Sequence, residues 1–320
     1  MKYTFIKNNE GIFPIDKMCK VLEVGLSSYY CWKRSSKSNK AIRKEKIKEL
    51  ITSIYFEFKQ RYGSPKITAE LQSKGYKISR VTVAKYMKEM RLRSKLAKKF
   101  KVTTDSKHNY LIMDNILNRQ FEQTEPSKAW VSDITYIPVK EGFLYLTTIM
   151  DLYDRKLIGW SLSNSMATQN TTLPAWRMAL KNRDVSKGLI FHSDQGVQYA
   201  NNVFANTLAS YNVIRSMSRT GNCWDNAVAE SFFKSIKTEL VYGNFLVTRE
   251  QMKTQVFEYI ETWYNKKRRH SYLDYMTIEE FNNRNSNYKS TLTNSASLVC
   301  ISRMILLRNT RFTKTCERSC

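Results

Sequence analysis

The 320-residue sequence predicts an all-α N-terminal region followed by an α/β domain built on a mixed five-stranded sheet. In the first part, apolar residues recur at i, i+3 and i+4, the period of a helix. After residue 126, runs rich in β-branched and aromatic residues alternate with turns and then with helical segments. This length suits two or three domains. We place segment boundaries at 1–41, 42–104, 105–125, 126–284 and 285–320.

The charge of the chain indicates a polyanionic partner. Lys and Arg number 53 and Asp and Glu 28, a net charge of +25, while 42% of residues are hydrophobic. A folded protein this basic most often binds nucleic acid. A membrane surface is the alternative, but no apolar run approaches 18 residues, and the N-terminus has no secretory signal. The six cysteines form no Cys-x-x-Cys pair, so we expect no zinc site and a cytoplasmic protein.

Residues 12–34 predict two short helices. Gly25 forms the turn between them and Ser27 is the expected N-cap of the second. This pattern is typical of a helix-turn-helix unit. A small helical hairpin with a purely structural role has the same pattern, and both interpretations remain open.

A stronger helical region follows in three parts. Helices are predicted at 43–58, at 65–73 with Ser64 as N-cap, and from Arg80 to Met90 with Ser79 as N-cap. The last helix carries Arg80, Lys85 and Lys88, as expected of a recognition helix in a major groove. A solvated cationic face is the alternative. Basic residues continue beyond this helix into a predicted linker that could contact the phosphates along a DNA backbone. They are Arg91, Arg93, Lys95, Lys98, Lys99, Lys101 and Lys107.

The α/β domain begins with three predicted strands joined by short turns, which indicates an antiparallel meander. Helices and strands then alternate. We expect the loop 218–225 to be mobile until DNA and metal bind. Three antiparallel strands followed by alternating helices and strands is the order of an RNase H-like sheet. The predicted strands are 129–137, 143–151, 156–163, 189–194 and 213–217, and the helices are Thr168 to about Arg183, 201–210, and the segment after 225 to about Tyr242.

Three acidic residues stand at positions where they can converge. Asp133 lies within the first strand and Asp194 at the end of the fourth. After 35 intervening residues, Glu230 lies on an amphipathic helix, with Lys234 and Lys237 on the same face as Glu230. Three carboxylates could hold a pair of Mg²⁺ ions for phosphoryl transfer. Taken alone, Glu230 with Lys234 is more typical of a solvated i,i+4 pair.

Two further residues compete for roles at this site. Asp151, at the end of the second strand, is a rival ligand, and we interpret it as a structural group near the site. His192, two residues before Asp194, could orient DNA or water, or could be a buried hydrogen-bonded residue.

Three motifs resemble the Asp, Asp-35-Glu core of transposases and retroviral integrases, and within that superfamily an OrfB-type transposase of a bacterial insertion sequence. The resemblance covers about residues 1–284 and implies an RNase H-like core with Asp133, Asp194 and Glu230 as catalytic metal ligands. It also implies Lys237 as a DNA contact, with Mg²⁺ as cofactor and Mn²⁺ as substitute. The motifs are Trp130-Val131-Ser132-Asp133-Ile134-Thr135-Tyr136, Phe191-His192-Ser193-Asp194-Gln195-Gly196-Val197-Gln198-Tyr199 and Asn226-Ala227-Val228-Ala229-Glu230-Ser231-Phe232-Phe233.

The implied function is metal-dependent hydrolysis and strand transfer at the ends of an insertion sequence, within the bacterial nucleoid. The implied partners are terminal inverted repeats, target DNA and further copies of the chain, with fusion to, or cooperation with, an upstream-frame helix-turn-helix protein. The alternative is a catalytically inactive, transposase-derived DNA-binding protein. A tyrosine recombinase does not fit, because the three histidines are followed three residues later by Leu111, Gln195 and Leu273 rather than by Arg.

A basic cluster follows a predicted amphipathic helix at 249–265. It carries Arg268, Arg269 and His270 beside aromatic residues, which suits contacts with DNA. Cations at a helix end are the alternative. The family pattern Tyr-Asn-x-x-Arg-x-His-Ser is present, but Asp274 stands where that family usually has Gly and Ile278 where it usually has Pro. Residues 285–320 match no part of the family.

Overall fold

The protein was analysed as a computed structural model that describes residues 1–34, 38–95, 111–242 and 244–286. Contacts divide the chain into two units, Met1–Ser94 and a second that begins at Lys95. Lys98, Lys99, Lys101 and Lys107 of the predicted basic run lie outside the described residues, as do residues 287–320 of the predicted tail.

The first three helices of the N-terminal unit pack around Ile6 and Tyr29, which are fully buried. Two of the three were predicted, and α1 was not. Ser27 is not the N-cap of α3, as predicted, because α3 already begins at Leu26 and the Gly25 carbonyl accepts the Tyr29 N–H at 2.9 Å. The helices are α1 (Lys2–Asn8), α2 (Ile15–Val21) and α3 (Leu26–Arg34).

The next three helices follow the predicted pattern: α4 (Asn39–Glu57), α5 (Ser64–Ser73) and α6 (Arg80–Glu89). The Ser79 hydroxyl accepts the Thr82 N–H at 3.3 Å, which confirms the predicted N-cap of α6. The prediction for Ser64 was wrong by one residue. Gly63 is the N-cap of α5, because its carbonyl accepts the Ile67 N–H at 3.1 Å.

The second unit is organised around one five-stranded sheet of order β3-β2-β1-β4-β5. Strands β1 to β3 pair antiparallel, whereas β4 pairs parallel with both β1 and β5. The predicted meander and mixed sheet are therefore confirmed. The strands are β1 (Ala129–Val139), β2 (Gly142–Asp151), β3 (Leu157–Ser163), β4 (Ile190–Ser193) and β5 (Ile214–Met217).

One predicted helix is interrupted. A 3₁₀ turn at Thr168–Asn170 is separated from α7 (Thr172–Asn182) by Thr171, whose ψ of −85° is not helical. Pro174 is the third residue of α7, where no intrahelical N–H bond is lost. Helix α7 lies directly on β3 at Gly159, where a Cβ atom would fall 2.2 Å from the Ala175 carbonyl oxygen.

The described part of this unit also contains α8 (Val197–Ala200), α9 (Asn202–Ser210), α10 (Ala227–Ile236) and α11 (Arg249–Phe257). Two of them continue as π-helical segments, α10 into Lys237–Val241 and α11 into Glu258–Lys267. These extensions account for the predicted helical lengths. A 3₁₀ turn at Ser271–Leu273 and a helical segment at 278–286 follow.

The core of the unit is rich in aromatic residues. Trp130 of β1 contacts Trp176 of α7, which contacts Phe191 of β4. The described part of the predicted linker also packs here, since Leu117 is buried and its N–H donates to the Ser216 hydroxyl at 3.1 Å. In the described parts of the chain, no helix is long and apolar enough to cross a membrane.

Candidate active site

The first two predicted acids lie side by side because β1 and β4 are neighbouring parallel strands. Val131 is paired with His192, and Asp133 and Asp194 each lie two residues farther along the common strand direction. Each carboxylate is oriented locally. Asp133 Oδ1 accepts the Ile134 N–H at 2.8 Å, and Asp194 Oδ1 accepts the Gly196 N–H at 2.9 Å. Two acids from segments about 60 residues apart thus lie side by side near the carboxyl end of β4, in the interior of the sheet.

Glu230 is brought to these acids by α10. The predicted apolar face of this helix is buried, with Ala229 2% and Phe233 3% exposed, and α10 packs against β1. The Asn226 side-chain amide donates to the Ser132 carbonyl at 3.4 Å, which ties the start of the helix to the residue before Asp133. Glu230 is partly buried on this helix, and its carboxylate acts electrostatically on Asp133.

The electrostatics show that the predicted groups converge. Burial raises the pKa of Asp133 well above its usual range, and the neighbouring carboxylates of Asp194 and Glu230 raise it further. The Lys237 ammonium opposes that shift. Burial also raises the pKa of Glu230 and lowers the pKa of Lys237, the latter against the attraction of Asp133. Three carboxylates and one ammonium group therefore act on one another.

The three carboxylates do not form a complete metal-coordination site in this structure. Within the described residues, no group of three or more His, Cys, Asp or Glu side chains has the arrangement of a metal site. The structure therefore shows an acidic constellation rather than a completed coordination sphere.

Tyr199, which the sequence analysis missed, belongs to the same constellation. Its hydroxyl lies 2.8 Å from the Ser132 hydroxyl. Burial raises the pKa of Tyr199 well above its usual range, and the carboxylates of Asp133 and Asp194 add to the effect. Tyr199 occurs at the end of the second motif, but spacing alone does not show that its hydroxyl turns back toward β1.

His192 is a fully buried residue of β4, paired with Ser216 of β5. Its ring nitrogens lie 2.9 Å from the Ser216 hydroxyl and 3.1 Å from the Ser218 hydroxyl. Burial lowers the pKa of His192 to about 4, so the ring is neutral near pH 7. Of the two interpretations left open by the sequence, the geometry corresponds to the buried, hydrogen-bonded residue.

Asp151, the rival ligand, is held by an arginine. Arg183 bridges Asp151 and Asp154 with one nitrogen at 2.8 Å from each, and both carboxylates are fully buried. The Ser127 N–H also donates to Asp151 at 2.9 Å. Asp151 therefore has structural partners at the opposite end of β2 from the β1–β2 turn.

The predicted DNA-binding residues of the N-terminal unit are accessible. Arg80, Lys85 and Lys88 are exposed on α6, whereas Val83 and Met87 are buried on its other face. In the second unit, Lys234 is exposed on α10, and Lys237 is partly buried near Asp133. DNA binding by these residues stays a prediction.

The predicted basic cluster after α11 is buried among protein partners. Arg268 pairs with Glu239 at 3.1 Å, and Arg269 pairs with Glu280 at 2.9 Å. His270 is 4% exposed and its ring packs against Tyr264. The sequence analysis expected these side chains at a DNA surface, and their described contacts are instead internal. Contacts with DNA by these three residues stay a prediction that their burial does not favour.

The departure from the family pattern at Asp274 is accommodated by the backbone. Asp274 has φ 51° and ψ 40°, in the left-handed region that favours Gly. Asp tolerates this conformation better than most residues. The turn is therefore formed despite the missing glycine.

Comparisons with known proteins agree with this architecture. Profiles described as "Integrase core domain" match residues 123–223 and 230–285, and one described as "HTH-like domain" matches residues 43–100. "Transposase InsF for insertion sequence IS3A" of Escherichia coli (strain K12) is 38% identical over 287 residues, covering 89% of this chain and 99% of that protein. The chain belongs to this transposase family. The transposase is also 37% identical over 256 residues to the "Insertion element IS600 uncharacterized 31 kDa protein" of Shigella sonnei, covering 80% of the chain and 94% of that protein.

Among solved structures, the HTLV-2 integrase catalytic core domain in complex with magnesium matches with a TM-score of 0.38 and 15% identity, covering 49% of the transposase and 97% of that chain. The family assignment confirms the predicted integrase core and helix-turn-helix region, and with them the predicted function in DNA transposition. The alternative of a catalytically inactive DNA-binding protein is not favoured.

Proposed function

We propose that Asp133, Asp194 and Glu230 are the catalytic metal ligands with which this transposase cleaves and joins DNA at the ends of an insertion sequence. The observation that supports this most directly is geometric: Asp133 and Asp194 each lie two residues beyond a paired position of β1 and β4, and α10, which carries Glu230, packs against β1. Mg²⁺ is the proposed cofactor and Mn²⁺ its substitute. The proposal adds the reaction and its residues to the family assignment.

The donor set fits such metal ions. Carboxylate oxygens are the ligands that Mg²⁺ prefers. A cation between the three side chains would relieve the repulsion that raises the pKa of Asp133. The Ile134 N–H donates to Oδ1 of Asp133 and the Gly196 N–H to Oδ1 of Asp194. The other lone pairs of each carboxylate remain available to bind a metal ion. When bound, a metal pair activates water and stabilises charge on the attacking and leaving oxygens of an in-line displacement.

The side chains themselves position the reacting strand. Backbone N–H bonds hold the two aspartates, and the buried face of α10 holds Glu230. The Lys237 ammonium lies where it can neutralise a phosphate next to Asp133. A direct displacement at phosphorus needs no protein nucleophile. The first attacking oxygen is that of water, and the second is the 3′-hydroxyl released by cleavage.

DNA binding is divided among several surfaces in this proposal. We assign recognition of the terminal inverted repeats to residues 42–104, with Arg80, Lys85 and Lys88 on α6. Lys234 and Lys237 contact DNA close to the catalytic acids in residues 126–284. Because two element ends and a target must meet, the transposase acts as a homo-oligomer on DNA, alone or with an upstream-frame helix-turn-helix protein.

The test is strand cleavage and joining on a labelled duplex that carries the element end, with Mg²⁺, Mn²⁺ or no divalent metal. We expect metal-dependent products from the wild type and a loss of at least about 10³-fold in Glu230→Gln. Glu250→Gln is the matched control, because Glu250 is 81% exposed on α11. Wild-type activity in Glu230→Gln would contradict the proposed ligand set. If the wild type binds the duplex but forms no products, the assay is repeated with the protein fused to the upstream-frame protein.

A further inference from the structure

An exposed tryptophan lies shortly before the catalytic helix. The Trp224 side chain is 69% exposed, on a 3₁₀ turn at Cys223–Asn226 that leads directly into α10. A large apolar ring in water contributes little to stability, because its surface remains unburied. Trp224 is therefore available for a partner and is not part of the described core.

The backbone on both sides of Trp224 is fixed by a charged clamp. Asp225 has a fully buried carboxylate that accepts two bonds from Arg219, at 2.8 and 2.7 Å, and one from Arg119 at 2.8 Å. These guanidinium groups hold the pKa of Asp225 well below its usual range. On the other side, the Asn222 side-chain oxygen accepts the Trp224 N–H at 3.3 Å. The indole is thus presented from a turn that is hydrogen-bonded on both sides of Trp224. The mobility expected of the loop 218–225 stays a prediction.

The clamp lies beside the acidic constellation. The Thr220 hydroxyl donates to the Gln195 side chain at 2.9 Å, next to Asp194. Asn226 is bonded to the carbonyl of Ser132, next to Asp133. Both ends of the loop that carries Trp224 are therefore attached to residues adjacent to the proposed metal ligands.

We propose that Trp224 is a stacking platform for an unpaired DNA base next to the phosphodiester that the transposase cleaves. This rests on the proposed function, which brings a DNA strand to Asp133, Asp194 and Glu230. Sites for single strands combine aromatic rings with cations that follow the backbone. Arg119 and Arg219 supply such cations, since their side chains remain 44% and 52% exposed while they hold Asp225.

The first experiment measures binding without catalysis. The probe is a fluorescently labelled duplex that carries the element end with a three-nucleotide single-stranded terminus, in the absence of divalent metal. We expect Trp224→Ala to weaken binding by about 5-fold to about 150-fold, the range that corresponds to stacking of one base. Trp224→Phe should retain part of the affinity. Phe257→Ala is the matched control. Phe257 of α11 is also an exposed aromatic residue, at 56%, but its ring contacts Trp160 of the edge strand β3 rather than the loop that carries Trp224.

The second experiment separates stacking from a general loss of binding. Each terminal nucleotide in turn is replaced by an abasic residue. At the stacked position, the wild type should lose the same factor that Trp224→Ala loses on intact DNA, and Trp224→Ala should lose nothing further. Equal affinity of the wild type and Trp224→Ala for intact DNA would overturn the proposal. It would also be overturned if each abasic substitution weakened binding by the same factor in Trp224→Ala as in the wild type.

A protein partner for Trp224 is the competing occupant. If Trp224→Ala changes the oligomeric state in sedimentation while the abasic series is unaltered, the stacking proposal is overturned. The catalytic assignment is tested apart from this, since Trp224 is not a proposed metal ligand and the probe is bound without divalent metal. Cleavage by Glu230→Gln would refute the proposed metal ligands. The binding results for Trp224→Ala would then still test the stacking proposal separately.

Discussion

Two groups of acidic residues in the sheet unit have opposite electrostatic surroundings. Around Asp133, burial raises the pKa, the carboxylates of Asp194 and Glu230 add to the shift, and the Lys237 ammonium opposes it. Around Asp225, two arginines lower the pKa. Asp151 shares the arginine pairing of Asp225, because Arg183 contacts it and Asp154, but burial still raises the pKa of Asp151 above its usual range.

The contrast separates acids that stabilise the fold by pairing with arginine from acids that are proposed to bind a metal cation. A buried carboxylate paired with arginine holds two segments together, and removing one partner leaves an uncompensated charge. Carboxylates that repel one another are costly in the folded state unless a cation joins them. Stability and activity should therefore respond oppositely to amide substitutions in the two groups.

The largest expected effect is on catalysis. Asp133→Asn and Asp194→Asn should each reduce cleavage by at least about 10³-fold, because each removes a proposed metal ligand. The free energy of unfolding should stay unchanged or rise, since one of the repelling charges is removed. Strand cleavage and urea denaturation measure the two quantities. A loss of stability as large as that of Asp151→Asn would break the distinction between the groups.

Asp151→Asn should show the reverse pattern. The substitution leaves the Arg183 guanidinium with one carboxylate instead of two, and we expect a loss of about 3 kcal/mol in the free energy of unfolding. Cleavage per folded molecule should remain within a few-fold of the wild type. Urea denaturation with Glu250→Gln as an exposed-pair control gives the comparison. Full stability together with lost cleavage would place Asp151 among the catalytic acids.

Asp225→Asn should have the smallest of the three effects, about 2 kcal/mol, because both arginines are partly exposed and solvent screens the pairs. Its pH dependence is specific. A folded-state pKa below the ordinary 3.8 means that the stabilisation is present above about pH 4 and is lost as the pH falls. Wild type should therefore lose more stability than Asp225→Asn on acidification below pH 4. Parallel pH curves would contradict the clamp.

Much of the fold follows from patterns that are local in the chain. The alternation and turns of β1 to β3 predicted the meander, and the Ser79 cap predicted the start of α6 to the residue. The approach of Asp133 to Asp194 needed only the parallel pairing of β1 and β4. The apolar face of α10 then oriented Glu230, because burying that face leaves one direction for the carboxylate.

Other features could not be read locally. Arg268 and Arg269 stand in a basic run that suits a DNA surface, yet they pair with Glu239 and Glu280. A charge run shows the sign of the side chains and not where their partners lie. The helical wheel placed Lys234 and Lys237 together, whereas the structure leaves Lys234 exposed and brings Lys237, at the start of a π-helical segment, under the influence of Asp133.

The sequence by itself determined the order of the strands and of the longer helices, though not α1 or α8, together with the spacing of the three acids and the basic face of α6. These depend on periodicity, caps and turns within a few residues. Only the tertiary structure decided which acids meet arginine and which meet other acids. Arg119 and Asp225 are 106 positions apart, and no local pattern connects them. Their pairing depends on how the packed sheet brings distant segments together, which is also why the exposure of Trp224 became visible only in the fold.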